Sequence, residues 1–232
     1  RKPCWSFCFS LRHCKSLVHG KKAMHIDFST LSASRAYHLM TQTVVPRPIA
    51  WVLTENASGN GRERYNLAPF SYFNAVASDP PTLMISIGKK PGGEQKDTLR
   101  NILRSKKLVI HVAGADKLVA LNQSAATLPY GESELALSAL DTEPLEHFPL
   151  PRLSGCKIAF ACSLDHTHEI GEAPQTLVFA RIHSACIEDE ILHTDRETGR
   201  YSIDTAALNP VARLGGNHYA LLGDAITLKR PS

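Results

Sequence analysis

The sequence contains no long hydrophobic run and, after its first 23 positions, no excess of basic residues. None of the apolar stretches in the 232 residues approaches the ~20 residues that a membrane-spanning helix needs, so no membrane association is expected. The first 23 residues hold six of the 26 lysines and arginines and no acid, which leaves 20 bases against 22 acids in the rest. Because nucleic-acid binding relies on clustered Lys and Arg, this near-neutral body predicts no nucleic-acid partner.

Several motifs that identify common enzyme classes are also missing. The chain has no G-x-G-x-x-G after a predicted strand, no G-x-x-x-x-G-K-[ST] and no H-E-x-x-H. It has no G-x-S-x-G nucleophile motif either. We therefore expect neither a catalytic dyad nor a metal centre. His166 and His168 would share one face of a strand, but without a third ligand they are more typical of surface or core histidines.

Cysteine is too sparse for a disulfide framework. Cys4, Cys8 and Cys14 lie in the basic N-terminal segment, while Cys156, Cys162 and Cys186 lie in predicted strands. The second group is typical of small buried apolar side chains in a reducing compartment, so we expect a cytoplasmic protein.

Residues 1–23 differ in composition from the rest of the chain. They are free of acids, and Met24 opens a different composition. We interpret residues 1–23 as a disordered N-terminal extension and residues 24–232 as one domain. A transit peptide and a Cys/His zinc site are the alternatives, and neither has a clear spacing signature.

The remaining chain predicts many strands and few helices. Helical spacing or capping residues indicate short helices over Ser32–Met40, Thr98–Ser105, Asp116–Gln123 and Glu132–Ala139. Strands are predicted over Ile49–Thr54, Tyr65–Ala68, Leu83–Ile87, Leu108–Ala113, Lys157–His166, Thr176–Ile187, Ile191–Leu192 and Tyr201–Ile203. Since strands and helices do not alternate regularly, the fold class is mainly β, a closed antiparallel barrel with peripheral short helices.

Three segments suit a ligand with a flat ring and a phosphate. In the first, Arg47 stands between two prolines at a strand entrance, where it could clamp a phosphate or simply lie on the surface. The second, residues 66–81, interleaves aromatic and small polar side chains, which suits either a planar heterocycle or a core segment. In the third, Lys96, Asp97 and Thr98 open a helix, with Asp97 or Thr98 at its N-cap. This start could cradle a phosphate or could be simple N-capping.

Taken in order, these segments resemble the flavin-reductase-like, FMN-binding split-barrel family. The resemblance runs through PRPIAW, NLAPFSYFNAVASDPP, KDTLRNI and the RLGGNHY segment from Arg213 to Tyr219. It implies a split-barrel homodimer with FMN near the subunit interface. Asn66 and the run Ala68, Pro69, Phe70, Ser71, Tyr72, Phe73 and Asn74 would line the isoalloxazine and ribityl chain. Arg47, Ser86, Lys96 and Thr98 would approach the phosphate, and Arg213 and Tyr219 would close the site.

The resemblance also implies an activity. We expect an oxidoreductase that transfers hydride from NAD(P)H to FMN and passes electrons to a small-molecule or protein acceptor. The alternative is an FMN-binding electron carrier or flavin-binding module without nicotinamide-dependent activity, since the sequence has no recognisable dinucleotide motif.

Overall fold

A computed structural model describes residues 23–172, 174–229 and 231. The predicted extension, except for Ala23, lies outside the described residues. Contacts divide the chain into one unit that ends at Tyr37 and a second that begins at His38. The extension and the single domain from residue 24 therefore stay predictions.

The first unit contains a short 3-10 helix and the start of a longer helix. Asp27 accepts a hydrogen bond from the Ser29 backbone at 2.9 Å and so begins the 3-10 helix Phe28–Thr30. Ser32 Oγ accepts from the Arg35 backbone at 3.4 Å, as expected of a capping serine. The longer helix, Ala33–Thr43, continues three residues beyond the predicted end and into the second unit.

The described residues form fourteen strands and five α-helices. The helices are α1 (Ala33–Thr43), α2 (Asp97–Ser105), α3 (Leu118–Gln123), α4 (Glu134–Ser138) and α5 (Thr205–Leu208), with further 3-10 helices at Gly61–Arg64, Ala115–Lys117 and Asp189–Ile191. The strands are β1 (Arg47–Pro48), β2 (Ala50–Glu55), β3 (Tyr65–Phe70), β4 (Phe73–Ser78), β5 (Pro81–Ile87), β6 (Lys107–Val112), β7 (Thr142–Glu143), β8 (Arg152–Leu153), β9 (Ile158–Ile170), β10 (Gln175–Ile187), β11 (Leu192–Thr194), β12 (Tyr201–Ile203), β13 (Ala212–Arg213) and β14 (Tyr219–Ala220).

The main sheet of the described chain has seven antiparallel strands in the order β3-β2-β6-β9-β10-β5-β4. Its interior cluster takes Phe70 from β3 at one end and Ile85 from β5 near the other end. Because strands from both ends supply one cluster, the sheet must curl around it, which is the geometry of a barrel. Leu99 and Ile102 of α2 belong to the same cluster.

A second cluster covers the other face of the same strands. In β2, Trp51 and Leu53 belong to this outer cluster while Ala50 and Val52 belong to the interior one. Side chains of α3, α4 and the connection between them and β9 cover it. Since both faces of β2 are buried, the strand has a continuous apolar sequence instead of an alternating one.

A bulge shapes the long β9–β10 hairpin. The register shifts between Phe179 and Ala180, so that Leu164 pairs with Ala180 and His166 pairs with Phe179. Ala180 faces the interior cluster, whereas the Phe179 and His166 rings stack on the other face, with centroids 4.3 Å apart. The extra residue Asp165 therefore makes the side chains of the outer half of β9 point to the opposite face of the sheet from the one that strict alternation would give.

His111 connects three elements from inside the core. It is fully buried in β6, its Nδ1 lies 3.0 Å from the Trp51 carbonyl oxygen, and its Nε2 accepts a hydrogen bond from the Leu153 backbone at 3.0 Å. Both bonds form together only when Nδ1 carries the proton and the ring is neutral. Burial lowers the pKa of His111 to about 4, which agrees with a neutral ring.

The structure confirms the predicted fold class, mainly β with short peripheral helices. The main difference is β4, because the sequence predicts no strand over residues 73–78, whereas these residues form an edge strand. Within the described residues, no helix combines the length and apolar character needed to cross a bilayer. Cys156 and Cys162 are buried thiols, as predicted, and burial raises the pKa of each to about 12. Cys186, also predicted to be buried, is only partly buried.

Candidate functional site

Twelve of the fifteen predicted site residues line two cavities of the second unit. One cavity, of about 140 Å³, lies between β3 and the start of α2, and we call it the β3–α2 cavity. The other, of about 450 Å³, lies beside β4 and β5, and we call it the β4–β5 cavity. The chain from Asn66 to Asn74 lines both, with residues 66, 68 and 69 at the first and residues 71–74 at the second.

The β3–α2 cavity is lined by polar and small side chains and by the first turn of α2. The helix begins one residue earlier than predicted, so Lys96 is the N-cap and neither Asp97 nor Thr98 is. Lys96 makes no side-chain capping bond, which leaves the first-turn N–H groups without a side-chain acceptor. The lining residues are Asn66, Ala68, Pro69, Lys90, Lys96, Asp97, Thr98, Ser124, Ala125, Ala126, Thr127, Leu128 and Glu134.

Thr98 and Asn66 hold each other in place at the wall of this cavity. Thr98 Oγ1 accepts a hydrogen bond from Asn66 Nδ2 at 2.9 Å, and both residues are buried. The Thr98 hydroxyl keeps its own proton to donate. The hydroxyl can therefore donate a hydrogen bond to an acceptor in the cavity without breaking its contact with Asn66.

Lys96 is a half-buried cation without a matching carboxylate. Its Nζ lies 5.4 Å from the centroid of the Phe70 ring, and no carboxylate among the described residues forms an ion pair with it. Burial first, and the neighbouring Lys90 ammonium second, lower the pKa of Lys96. An anion bound in the cavity would relieve both effects.

Lys90 is the second cation of the cavity, but it already has partners. Its Nζ lies 3.0 Å from Asp97 Oδ1 and donates to the Leu128 carbonyl oxygen at 3.0 Å. The Asp97 contact is an ion pair and lacks the alignment of a hydrogen bond. Asp97 thus balances Lys90, and the positive charge left over at this wall is that of Lys96.

Glu134 brings a further carboxyl to the same cavity. Its Oε2 accepts a hydrogen bond from the Leu67 backbone at 2.9 Å, and the neighbouring Ser133 hydroxyl donates to the Tyr65 carbonyl oxygen. These contacts occupy the free edge of β3, where Pro69 has no N–H to satisfy. Burial raises the pKa of Glu134 to about 7.

The segment after α3 closes the cavity and is anchored from the core. Trp51 Nε1 donates to Ser124 Oγ at 2.8 Å, and Ser124 Oγ donates to the Leu121 carbonyl oxygen at 2.8 Å. Ala125 and Ala126 come next, and their small side chains leave room in the cavity. The outer core of the barrel therefore fixes this wall.

The β4–β5 cavity is larger and more apolar, in the range of small-molecule sites. Met84, Ser86 and Leu177 lie on one sheet face, because Leu177 pairs directly with Ser86 and Met84 lies two residues from Ser86. The lining residues are Met40, Val44, Pro46, Arg47, Pro48, Ser71, Tyr72, Phe73, Asn74, Met84, Ser86 and Leu177. Ser86 thus lies in this cavity and not with Lys96 and Thr98, which corrects its predicted place.

Arg47 also differs from its predicted role as a phosphate ligand. Its side chain is buried, and Nη1 donates to the carbonyl oxygens of Thr41 and Val44 at 2.7 Å each. Nη2 donates to the Leu214 carbonyl oxygen at 2.9 Å, and Nε to Ser71 Oγ at 3.4 Å. The guanidinium therefore ties three chain segments together beside the β4–β5 cavity.

Three other predicted residues lie outside the linings of both cavities. Phe70 is buried in the interior cluster, where it cannot stack on a ligand ring. The Arg213 guanidinium donates to the Gly216 carbonyl oxygen at 2.6 Å and lies 4.5 Å from the centroid of the Tyr219 ring. Tyr219 in turn donates to Asn122 Oδ1 at 2.9 Å. The role of Arg213 and Tyr219 in closing the site stays a prediction.

The alternative of a metal site at His166 and His168 finds no geometric support. Within the described ranges, no three His, Cys, Asp or Glu side chains are grouped so as to hold a metal ion. His166 instead stacks on Phe179 and lies 2.8 Å from Asp165.

Sequence reasoning missed Lys90, Glu134, residues 124–128, Met84 and Leu177. Lys90 lies in the same Gly/Pro/Lys loop as Lys96, so the sequence did indicate that the two lysines could lie close together. Glu134 and residues 124–128 reach the cavity only because α3 and α4 pack against β3. No local pattern reports such a contact.

Comparisons with known proteins show the family and the fold of this chain. A family described as "Flavin reductase like domain" matches residues 40–202. An uncharacterized protein of Bacillus subtilis, YwrF, is 37% identical over 206 residues, which cover 87% of this chain and 96% of that protein. Solved structures of nitrilotriacetate monooxygenase component B from Bacillus cereus (31% identity, TM-score 0.79) and of 2-nitrobenzoate 2-nitroreductase NbaA from Pseudomonas fluorescens (28% identity, TM-score 0.77) are similar. They cover 89% and 90% of this chain, and 99% and 97% of their own chains.

The chain belongs to the flavin reductase-like family. A further solved structure described as a split barrel superposes with a TM-score of 0.75 at 20% identity and covers 90% of this chain, which supports the fold alone. Family membership implies a flavin-related oxidoreductase that uses a flavin and a nicotinamide electron donor.

Proposed function

We propose that this protein binds FMN, with the phosphate in the β3–α2 cavity, and reduces it with NADH or NADPH. One observation carries the phosphate assignment: the Lys96 ammonium is half-buried, has no carboxylate partner in the described chain and lies beside an uncapped helix start. Helix N-termini and buried cations both stabilise phosphate groups. The Thr98 hydroxyl and the Lys96 ammonium are the proposed donors.

The sizes of the two cavities support placing the phosphate of FMN in one of them and its ring in the other. A volume of about 140 Å³ is below the range of whole-ligand pockets, so the β3–α2 cavity suits a phosphoryl group and its nearest atoms. The apolar β4–β5 cavity suits a flat ring. The β3–β4 segment, which lines both cavities, would bind the chain between these two parts.

The residues would act by binding and orienting. A bound FMN would supply the redox chemistry, accepting hydride from the nicotinamide and releasing electrons to an acceptor. Arg47 holds Ser71 and the Val44 carbonyl in fixed positions at the β4–β5 cavity, and Met84 and Leu177 contribute apolar side chains to its lining. Such fixed walls lower the entropic cost of bringing two rings together.

The acceptor and the assembly belong to the same proposal. The names of the similar structures, a monooxygenase component and a nitroreductase, illustrate a protein acceptor and a small-molecule acceptor. A homodimer is supported by β4, an edge strand with five of its six residues exposed, Val76 among them. Exposed edges are normally paired or covered. A cytoplasmic location fits the free Cys156, Cys162 and Cys186.

Anaerobic reduction tests the proposed activity. The purified protein, loaded with FMN, should lose its visible flavin absorption when NADH or NADPH is added, because the nicotinamide delivers hydride within the site. The control is free FMN at the same concentration with the same nucleotide. Bound FMN that neither nucleotide reduces, while dithionite does, would leave the electron-carrier alternative and contradict the reductase.

A further inference from the structure

Glu134 brings a buried carboxyl to the cavity that is proposed to hold an anion. Its side chain is only 6% exposed, and no lysine or arginine of the described residues forms an ion pair with it. Asp97, the other carboxyl of the cavity, is balanced by Lys90 at 3.0 Å. An ionised Glu134 would therefore cancel the positive charge of Lys96, the cation that is proposed to bind the phosphate.

The net charge of the cavity wall depends on whether Glu134 is protonated. With Glu134 neutral, the cavity wall carries two ammonium groups and one carboxylate and is positive. With Glu134 ionised, the same wall is neutral. Among the side chains that the structure describes, the titratable and charged ones on the elements packed around Glu134 are Glu63, Arg64, Tyr65, Lys90, Lys96 and Asp97.

These groups differ in how strongly they affect the protonation of Glu134. Glu63 and Arg64 are exposed, and Arg64 is paired with Glu55 at 2.8 Å, so solvent screens them. Lys90 and Asp97 act on Glu134 in opposite directions. The largest influence is burial, which favours the neutral carboxyl.

We propose that the Glu134 carboxylate takes up one proton from solvent when a phosphorylated flavin binds, so that Glu134 makes the preference of the cavity for phosphate dependent on protons. This inference rests on the proposed function. No bond of the flavin changes, and the proton moves only from water to the carboxylate. Riboflavin has no phosphate and should bind without this uptake.

Linkage sets the pH range of the effect. Burial holds the pKa of Glu134 near 7 in the free protein, and a bound phosphate would raise it further. The part of the FMN affinity that depends on a neutral Glu134 is therefore full below that value and is lost as the pH rises above it. With a pKa near 7, the affinity for FMN relative to riboflavin should fall about fivefold between about pH 7 and pH 8.

The test compares two flavins and three proteins. Flavin-free wild type, Glu134→Gln and Glu132→Gln are titrated with FMN and with riboflavin from about pH 6 to pH 8.5, a range that brackets the change. Gln keeps an oxygen acceptor for the Leu67 N–H, and Glu132 is an exposed acid outside the β3–α2 lining. The comparison is made above about pH 7, where the phosphate itself is fully ionised. In this range the FMN-to-riboflavin affinity ratio should fall with rising pH in wild type and Glu132→Gln and should stay constant in Glu134→Gln.

A second measurement needs no variant. Calorimetric titration of the wild type in buffers of different ionisation enthalpy should show uptake of close to one proton per FMN at about pH 8, and none for riboflavin. Absence of this uptake overturns the inference, as does an equal loss of FMN and riboflavin affinity in Glu134→Gln. A wild type that binds no FMN at any pH overturns the proposed function, which makes the two failures distinguishable.

Discussion

Replacing Lys96 by Met and Thr98 by Val together should weaken FMN binding about 100-fold or more, while riboflavin affinity changes less than about threefold. Charge-assisted hydrogen bonds contribute ~1.5–3 kcal/mol each, and both donors are proposed to serve the phosphate. Met preserves the aliphatic stem that carries the ammonium to the Phe70 ring. Fluorescence titration with each flavin measures the two affinities.

Two further variants separate loss of the phosphate site from loss of structure. Lys89→Met removes an exposed lysine from the same loop and should leave both affinities unchanged. Thr98→Ser, made with Lys96 intact, retains the hydroxyl that accepts from Asn66 and should keep most of the FMN affinity. If the double variant weakens FMN and riboflavin equally, the phosphate does not lie at Lys96 and Thr98.

Lowering the pH from 6.5 towards 4 should destabilise the fold by about 3 kcal/mol through His111 alone. Burial lowers the pKa of His111 to about 4 in the folded protein, below its ordinary value of 6.5. The neutral ring is therefore the one that the fold favours, and its contribution is complete above pH 6.5 and is lost as the pH falls. The measurement is the free energy of unfolding by denaturant across this range.

His111→Asn should flatten that part of the pH profile, because the unfolded state then gains no proton at this position. His168→Asn, which removes an exposed histidine, should leave the profile as in the wild type. The native wild type offers an independent check by NMR. A His111 ring that titrates near 6.5 in the folded protein would contradict the assignment of a neutral, doubly bonded imidazole.

The barrel was largely predictable from local patterns. The apolar runs of β2 and β6 indicate strands because both faces of these strands are buried. The strands β9 and β10 are rich in β-forming residues that partly alternate, in agreement with their partly exposed positions. β4 was not predictable in this way. Five of its six residues are exposed, so residues 73–78 lack the burial that generates a strand pattern, and they form a strand because β5 supplies the hydrogen bonds.

The site was predictable where its residues are neighbours in sequence. Lys96 and Thr98 lie at one helix start, which the local pattern predicts to within one residue. The sequence predicts Arg47 as a phosphate ligand because the two flanking prolines indicate a rigid arginine and give no information on its hydrogen-bond partners. The acceptor that occupies its Nη2, the Leu214 carbonyl, is 167 residues away, and contacts of that range leave no local pattern.

The strand parity of residues 66–74 gives a similar lesson. One continuous motif is expected to line one ligand, yet the structure divides it between two cavities and places Phe70 in the core between them. Alternation along β3 and the bend before β4 produce this division. The motif identifies the family correctly, while the orientation of its side chains depends on the sheet.

Titration of the flavin-free protein with FMN and with riboflavin tests the central claim most directly. If the β3–α2 cavity holds a phosphate, FMN should bind at least about tenfold more tightly than riboflavin at neutral pH, since the donors at the start of α2 act on FMN only. A protein that takes up no FMN, or that binds the two flavins equally, would contradict the account.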